Sequence, residues 1–325
     1  MQAVGANRKA ALKVRRRTAS FVVSMVVCAI FCGMISISVA AAAPANEKTF
    51  ASPGDAVLAV YNAAKSNDQE ALNAIFGSDA QKILHTGDDV ADSAMRADFI
   101  RRYEEMHRVV LEPDHTATLY IGSENWPFPI PLVKNASGSW YFDTGSGEQE
   151  ILYRRVGRNE NDAIEILHAM VDAQKDYAAA SRDGAPAGQY AQKFLSDDGK
   201  HNGLYWKTSE NEEPSPIGDL LAEASSEGYT AKQREPTPFH GYVFRMLTKQ
   251  GAGAPGGAKN YLASGKQAGG FAFVAYPALY RNSGVMTFIV NKSGTIYEKD
   301  LGVKTAEIAA AMTDYNPDSS WDKVE

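Results

Sequence analysis

Apolar residues recur along this chain in three different rhythms, and each predicts a different kind of segment. The first is an unbroken apolar run from Phe21 to Val39. Six basic residues precede it (Arg8, Lys9, Lys13, Arg15, Arg16 and Arg17), no acidic residue does, and small residues follow it from Ser38 to Ala45. A basic head, an apolar middle and an Ala-x-Ala end predict a secretory signal peptide over residues 1–45, cut near Ala42 or Ala45. The run is 19 residues long, enough to span a bilayer, so a retained membrane anchor is the alternative. Gly33, Ser36 and Ser38 dilute its second half and no basic cluster follows it, which favours cleavage.

From about residue 50 the rhythm becomes helical. Ser52 suits a helix cap, Pro53 the first helical position and Asp55 the first turn, and Ala56, Val57, Val60, Tyr61 and Ala64 then share one face. A second helix carries Leu72, Ile75 and Phe76 and stops at Gly77. A third is predicted from about Asp89 to His107, with Phe99, Ile100 and Tyr103 as its stripe. The pattern then shortens to strands at 116–121 and 139–143, with a proline-marked extended piece at 129–133 and a turn at 135–138. Helices followed by a curled antiparallel sheet make an α+β unit over residues 50–157.

A boundary is expected near Gly157, and a long helix is predicted to start at Asp162, where Asp162 and Glu165 have capping-box spacing. Ala163, Ile166, Leu167, Met170, Ala173 and Tyr177 form its stripe. A loop-rich middle, with a short helix near 220–224, leads to the third rhythm: strands at 242–247, 271–276, 285–290 and 295–297 with glycine-rich turns between them. Residues 158–325 therefore read as a long helix packed on a second antiparallel sheet, and the fold class of the whole is α+β.

Charge narrows the partners. Without the six basic residues of the head, 27 Lys and Arg face 39 Asp and Glu, a net charge of −12. That excludes nucleic acid and leaves an envelope protein or a small ligand, with membrane contact only through the N-terminal segment if it is retained. Both cysteines, Cys28 and Cys32, lie in the apolar run, so a cleaved chain has no disulfide and no thiolate nucleophile. No two histidines lie three to five residues apart, and the run Gly251-x-Gly253-x-x-Gly256 sits between predicted antiparallel strands rather than before a helix. No metal and no cofactor is expected.

The candidate binding residues are rings and arginines in proline-broken or polar stretches: Trp126, Tyr205, Trp206, His240, Arg154 and Arg155. Arg154, Arg155 and Arg158 form a basic cluster able to hold an anion, although pairing with Glu148, Glu150 or Glu160 is the plainer expectation. Trp206 and His240 are expected close together at a concave surface.

Six stretches carry a family resemblance: NWPFPIPLV at 125–133, EILYRRVGRNE at 150–160, GLYW at 203–206, PTPFHGY at 236–242, FAFVAYP at 271–277 and VMTFIVN at 285–291. On these the chain resembles the bacterial family catalogued as domain of unknown function 2950, a resemblance that implies no reaction. The first half also resembles small nuclear-transport-factor-2-like domains. The second resembles the globular heads of bacterial pseudopilins, through Ala173-Gln174-x-x-Tyr177 ahead of Gly241-Tyr242-x-Phe244. Unlike a pilin, this chain places a whole domain before that helix, which argues against filament assembly.

The functional expectation is an exported envelope protein, periplasmic or secreted, that binds or scaffolds. The alternative is a periplasmic hydrolase or other enzyme with a site at the domain junction built from Arg154, Arg155, Trp206 and His240. The signal reading predicts a mature N-terminus between Ala41 and Asn46; N-terminal sequencing of envelope-fraction protein that begins at Met1 would support the anchor instead.

Overall fold

Local sequence accounts for the first helices directly. In a computed structural model, which describes residues 47–77, 80–208, 213–229 and 237–324, helix α1 spans Pro53–Lys65, and the Ser52 hydroxyl caps it by accepting from the Asp55 amide. Helix α2 (Gln69–Phe76) is capped by Asp68 and ends at Gly77, whose φ of 70° suits a residue without a Cβ. A short helix α3 (Ala80–Leu84) precedes α4 (Asp89–Glu105), capped by Asp88. The expected signal segment lies outside the described residues, as does Pro236. Among the described residues no helix is long and apolar enough to cross a membrane.

Helix α4 ends earlier than its apolar pattern predicts. Met106 takes an extended conformation, and residues from His107 onward form strand β1 (His107–Leu111). The run Val109, Val110, Leu111 prefers a pleated surface. β1 pairs antiparallel with β2 (Ala117–Ile121), which also holds β3 (Trp126–Pro127) and β4 (Leu132–Lys134); β5 (Trp140–Phe142) completes the sheet in the order β1-β2-β4-β5. The first core lies between this sheet and the helices, with Val60, Leu72, Phe76, Leu119, Ile121 and Phe142 buried in it.

The largest departure from the sequence reading is the next element. Helix α5 is continuous from Thr144 to Ala179, 36 residues, and passes through Gly157 without interruption. Its N-cap is Asp143, not Asp162. The polar run from Arg154 to Glu160 resembles a linker because its side chains are polar. Three of those side chains, Arg155, Asn159 and Glu160, bond distant parts of the chain. Arg155 donates to the carbonyls of Lys82 and Ile83 in α3 and to Asn282 Oδ1. Asn159 donates to the Ser283 carbonyl, and Glu160 accepts from the amides of Val285 and Met286.

Beyond α5, helix α6 (Gly218–Glu227) leads to strand β6 (Tyr242–Leu247). Short strands follow: β7 (Lys249–Gln250), β8 (Lys259–Asn260), β9 (Leu262–Ala263) and β10 (Lys266–Gln267). Then come β11 (Ala272–Pro277), β12 (Met286–Asn291) and β13 (Ile296–Asp300), helix α7 (Thr305–Ala311), β14 (Asp314–Tyr315) and β15 (Asp322–Lys323). The main sheet is antiparallel in the order β15-β13-β12-β11-β6, and the glycine-rich 251–257 stretch is the turn between antiparallel β7 and β8. Alternation along β11 serves two cores. Phe271, Phe273 and Ala275 pack with Leu167 and Val171 of α5, whereas Ala272, Val274 and Tyr276 pack with Ala309 of α7 and Tyr315. The architecture is mixed α+β, and the described residues form one compact unit.

Two glycines of α5 separate the continuous helix from a broken one. A Cβ on Gly147 would lie 2.8 Å from the Ile130 Cα and 2.9 Å from the Pro129 carbonyl, whereas one on Gly157 would meet nothing within 4 Å. Gly147→Ala should therefore cost about 1–3 kcal/mol in urea unfolding. Gly157→Ala should raise stability by up to about 1 kcal/mol, the helix-propensity difference; no gain there would indicate that the chain is not helical at 157.

Candidate functional site

Helix α4 has 17 residues, yet only Tyr103 among them is fully buried. Part of its inner face packs on protein, with Tyr103 stacked on Tyr61 at 4.3 Å; the rest lines a cavity of about 470 Å³, a size that suits a small organic ligand. Leu72, Phe76, Phe99, Phe128, Ile130 and Ile151 give the cavity an apolar interior. They come from α2, α4, the segment after β3 and the first half of α5. Phe128 sits at the centre of the ring cluster, 6.5 Å from Phe76, 5.7 Å from Phe99 and 6.1 Å from Phe142 between centroids.

Around this interior are five arginines (Arg96, Arg102, Arg154, Arg155 and Arg158) and three carboxylates (Asp92, Asp98 and Glu124). In a chain of net negative charge the lining is therefore positive. Most of these charges have partners. Asp98 bonds Arg101 and, at 2.7 Å, Arg102; burial opposes its charge, but these bonds win and hold its carboxyl below the usual range. Arg154 pairs with Glu150 at 2.6 Å and lies over the Trp126 ring at 5.5 Å. Burial raises the pKa of Asp92, against the Thr86 hydroxyl and amide that hydrogen-bond it. Arg155 is 2 % exposed, and that burial pulls its guanidinium down to about 10, with Asp92 pulling the other way, so it is charged at neutral pH.

Two buried polar atoms of the lining, the Nε of Arg155 and the Oε1 of Gln69, have no partner among the described residues. Arg158 is exposed to solvent and has neither an ion pair nor a side-chain hydrogen bond among them. Arg96 reaches only Ser93 Oγ, at 3.5 Å, a length at which a hydrogen bond contributes little.

A family model described as a protein of unknown function, DUF2950, matches residues 47–324. The chain belongs to the DUF2950 family. No curated protein and no solved structure matches it. Every residue that lines the cavity lies within the matched region.

Of the six candidate residues read from this DUF2950 sequence, the structure gathers Trp126, Arg154 and Arg155 at the cavity. The other three lie elsewhere. Trp206 is 4 % exposed and belongs to the second core, its indole donating to the Glu213 carbonyl and its ring stacked by Arg182 at 4.9 Å and His201 at 4.4 Å. Tyr205 packs against the same core, its backbone bridged to Phe194 and Ser196. His240 contacts Tyr229, Phe239, Asp162 and Glu227. No hydrogen bond or ring contact joins it to Trp206 among the described residues. The sequence reading did not single out Arg96, Gln69, Phe99 or Phe128 as site residues. Phe99 was assigned to a helix stripe, and periodicity does not distinguish a stripe facing protein from one facing a cavity.

His240 has a different chemistry. Its Nδ1 lies 3.0 Å from Asp162 Oδ2 and its Nε2 2.8 Å from Glu227 Oε2. Carboxylates only accept, so donating to both requires the imidazolium. Burial opposes that charge, but the bonds to Asp162 and Glu227 outweigh it and the pKa is raised above 6.5. Tyr229 adjoins this group, its hydroxyl donating to the buried Asp88, which also accepts the Gly241 amide. Among the described residues no group of His, Cys, Asp and Glu is placed to hold a metal ion.

A raised pKa in the folded state means that the His240 contribution is full below the unfolded value of about 6.5 and is lost as pH climbs through the folded value. His240→Asn, which tolerates the φ of 50° at this position, removes that dependence. From about pH 6.5 upward the urea midpoint of the native protein should fall relative to that of the variant. Parallel pH profiles would show that His240 is not held as the cation.

Proposed function

We propose that this protein is an exported binding module whose ligand is a small molecule with an apolar body, held in the cavity between α1, α2, α4, the segment after β3 and the first half of α5. The observation that carries this reading is the lining itself. Leu72, Phe76, Phe99 and Phe128 face a space of about 470 Å³ that none of the described residues fills. Removing apolar ligand surface from water contributes about 0.8 kcal/mol per methylene, so a chain of eight to ten carbons supplies ample driving force. The basic head, apolar run and Ala-x-Ala end support export to the periplasm or medium. A helix-covered sheet enclosing a cavity also agrees with the nuclear-transport-factor-2-like resemblance of the first half.

The enzyme alternative has less support. Its residues do not converge: Arg154 and Arg155 belong to the cavity and Trp206 to the second core. Both ring nitrogens of His240 are taken by carboxylates, leaving neither to accept a proton from a nucleophile.

Met95 lines the cavity from α4 and is only half-buried, so a larger side chain there fills space without forcing the core apart. Isothermal titration of the full chain with 1-decanol should show saturable binding that weakens tenfold or more in Met95→Trp and is unchanged in His240→Asn. The Met95→Trp melt should stay within a few degrees of the native one. Equal 1-decanol affinity in the native protein and a folded Met95→Trp would refute the cavity as the binding site.

A further inference from the structure

The apolar interior explains why a ligand would enter but not which end of it the protein would recognise. The arginines address that second question, because they differ in what already holds them. Arg102 is engaged by Asp98, Arg154 by Glu150, and the two terminal nitrogens of Arg155 by main-chain carbonyls and Asn282. Arg158 has no such partner among the described residues and Arg96 has only a 3.5 Å approach to Ser93. Arg158 follows Arg154 by four positions and Arg155 by three, the spacings that make side chains neighbours on a helix surface. Burying the Nε of Arg155 without a partner costs free energy that a hydrogen-bond acceptor at that end would recover. The carboxylates do not cancel this. Asp98 is held by Arg101 and Arg102, Glu124 approaches Arg102 at 4.0 Å, and Asp92 is bonded by Thr86 with burial disfavouring its charge.

We infer that the ligand is an amphipathic anion, an apolar body bearing one carboxylate or phosphate group, with its charged head received by Arg158 and Arg96 beside Arg155. This rests on the cavity reading above and adds the head to it. Guanidinium groups suit such heads because their planar donors match two oxygens at once. A neutral or cationic amphiphile would leave two arginines unneutralised beside an apolar wall. The free anion alone would leave the apolar wall wet, so inorganic phosphate is expected to bind far more weakly than an alkyl phosphate.

Four probes of the full chain test this: decanoate, decyl phosphate, 1-decanol and inorganic phosphate, titrated calorimetrically under the same salt. The expected result is that decanoate, decyl phosphate or both bind at least tenfold tighter than 1-decanol, about 1.4 kcal/mol, and that inorganic phosphate shows no comparable binding. Whichever of the two anions is preferred identifies the head. In Arg96→Gln/Arg158→Gln the affinity of the preferred anion should fall to that of 1-decanol. Equal binding of decanoate, decyl phosphate and 1-decanol, or a preference that survives in the double variant, overturns the anionic head. Either result leaves the cavity standing if Met95→Trp still weakens 1-decanol. If no decyl compound binds, or Met95→Trp changes none of them, the cavity reading itself fails and the head falls with it.

Discussion

The guanidinium of Arg155 sits where the two parts of the chain meet, and the architecture depends on it. One side chain, 2 % exposed, ties the end of α3 to the turn that precedes β12 by donating to two helix carbonyls and to Asn282. Asn282 in turn donates to the same Lys82 carbonyl. An arginine buried this deeply is disfavoured by desolvation, and its bonds to two carbonyls and Asn282 offset part of that cost. Asn159 and Glu160 reinforce the seam one turn further along. The helix is therefore a shared strut: its first half is a wall of the cavity and its second half a wall of the second core.

This explains which parts of the fold were legible in the sequence. The caps of α1 and α2 were readable because Ser52, Gly77 and the alternating apolar positions act locally. Four of the five strands of the main antiparallel sheet, β6, β11, β12 and β13, are readable because β-branched and aromatic runs bounded by turns admit few alternatives, whereas β15 is too short to mark itself. The start of α5 was not, because a polar run signals either a linker or a buried hydrogen-bonded seam, and only the partner residues, between 72 and 127 positions away, decide between them. β1 (His107–Leu111) is not marked in the sequence for a related reason: its valines are strand-formers, but nothing local shows where the chain turns out of α4.

The candidate site was legible by residue type and not by place. Arg154, Arg155 and Trp126 were selected for charge and aromaticity in unusual contexts, and all three line the cavity. Trp206, Tyr205 and His240 were selected on the same grounds and have other roles. Trp206 and Tyr205 pack in the second core, and His240 bridges α5 to α6 as a cation between Asp162 and Glu227. Rings in proline-broken loops mark places where a loop must be pinned, and pinning to a core is as effective as pinning to a ligand. The residues that make the cavity apolar read in sequence as ordinary helix and strand positions. What distinguishes them is that each also borders open space, which no local pattern encodes.

One continuous helix carries the ligand cavity on its first half, and amide hydrogen exchange of the full chain, with and without decanoate, tests both together. Protection should run unbroken from 147 to 177, and ligand should slow exchange further in α2, α4 and residues 151–158 while leaving β11 and β12 unchanged. Rapid exchange confined to 156–162, or ligand-induced slowing around Trp206 and His240 in place of α4, would contradict it.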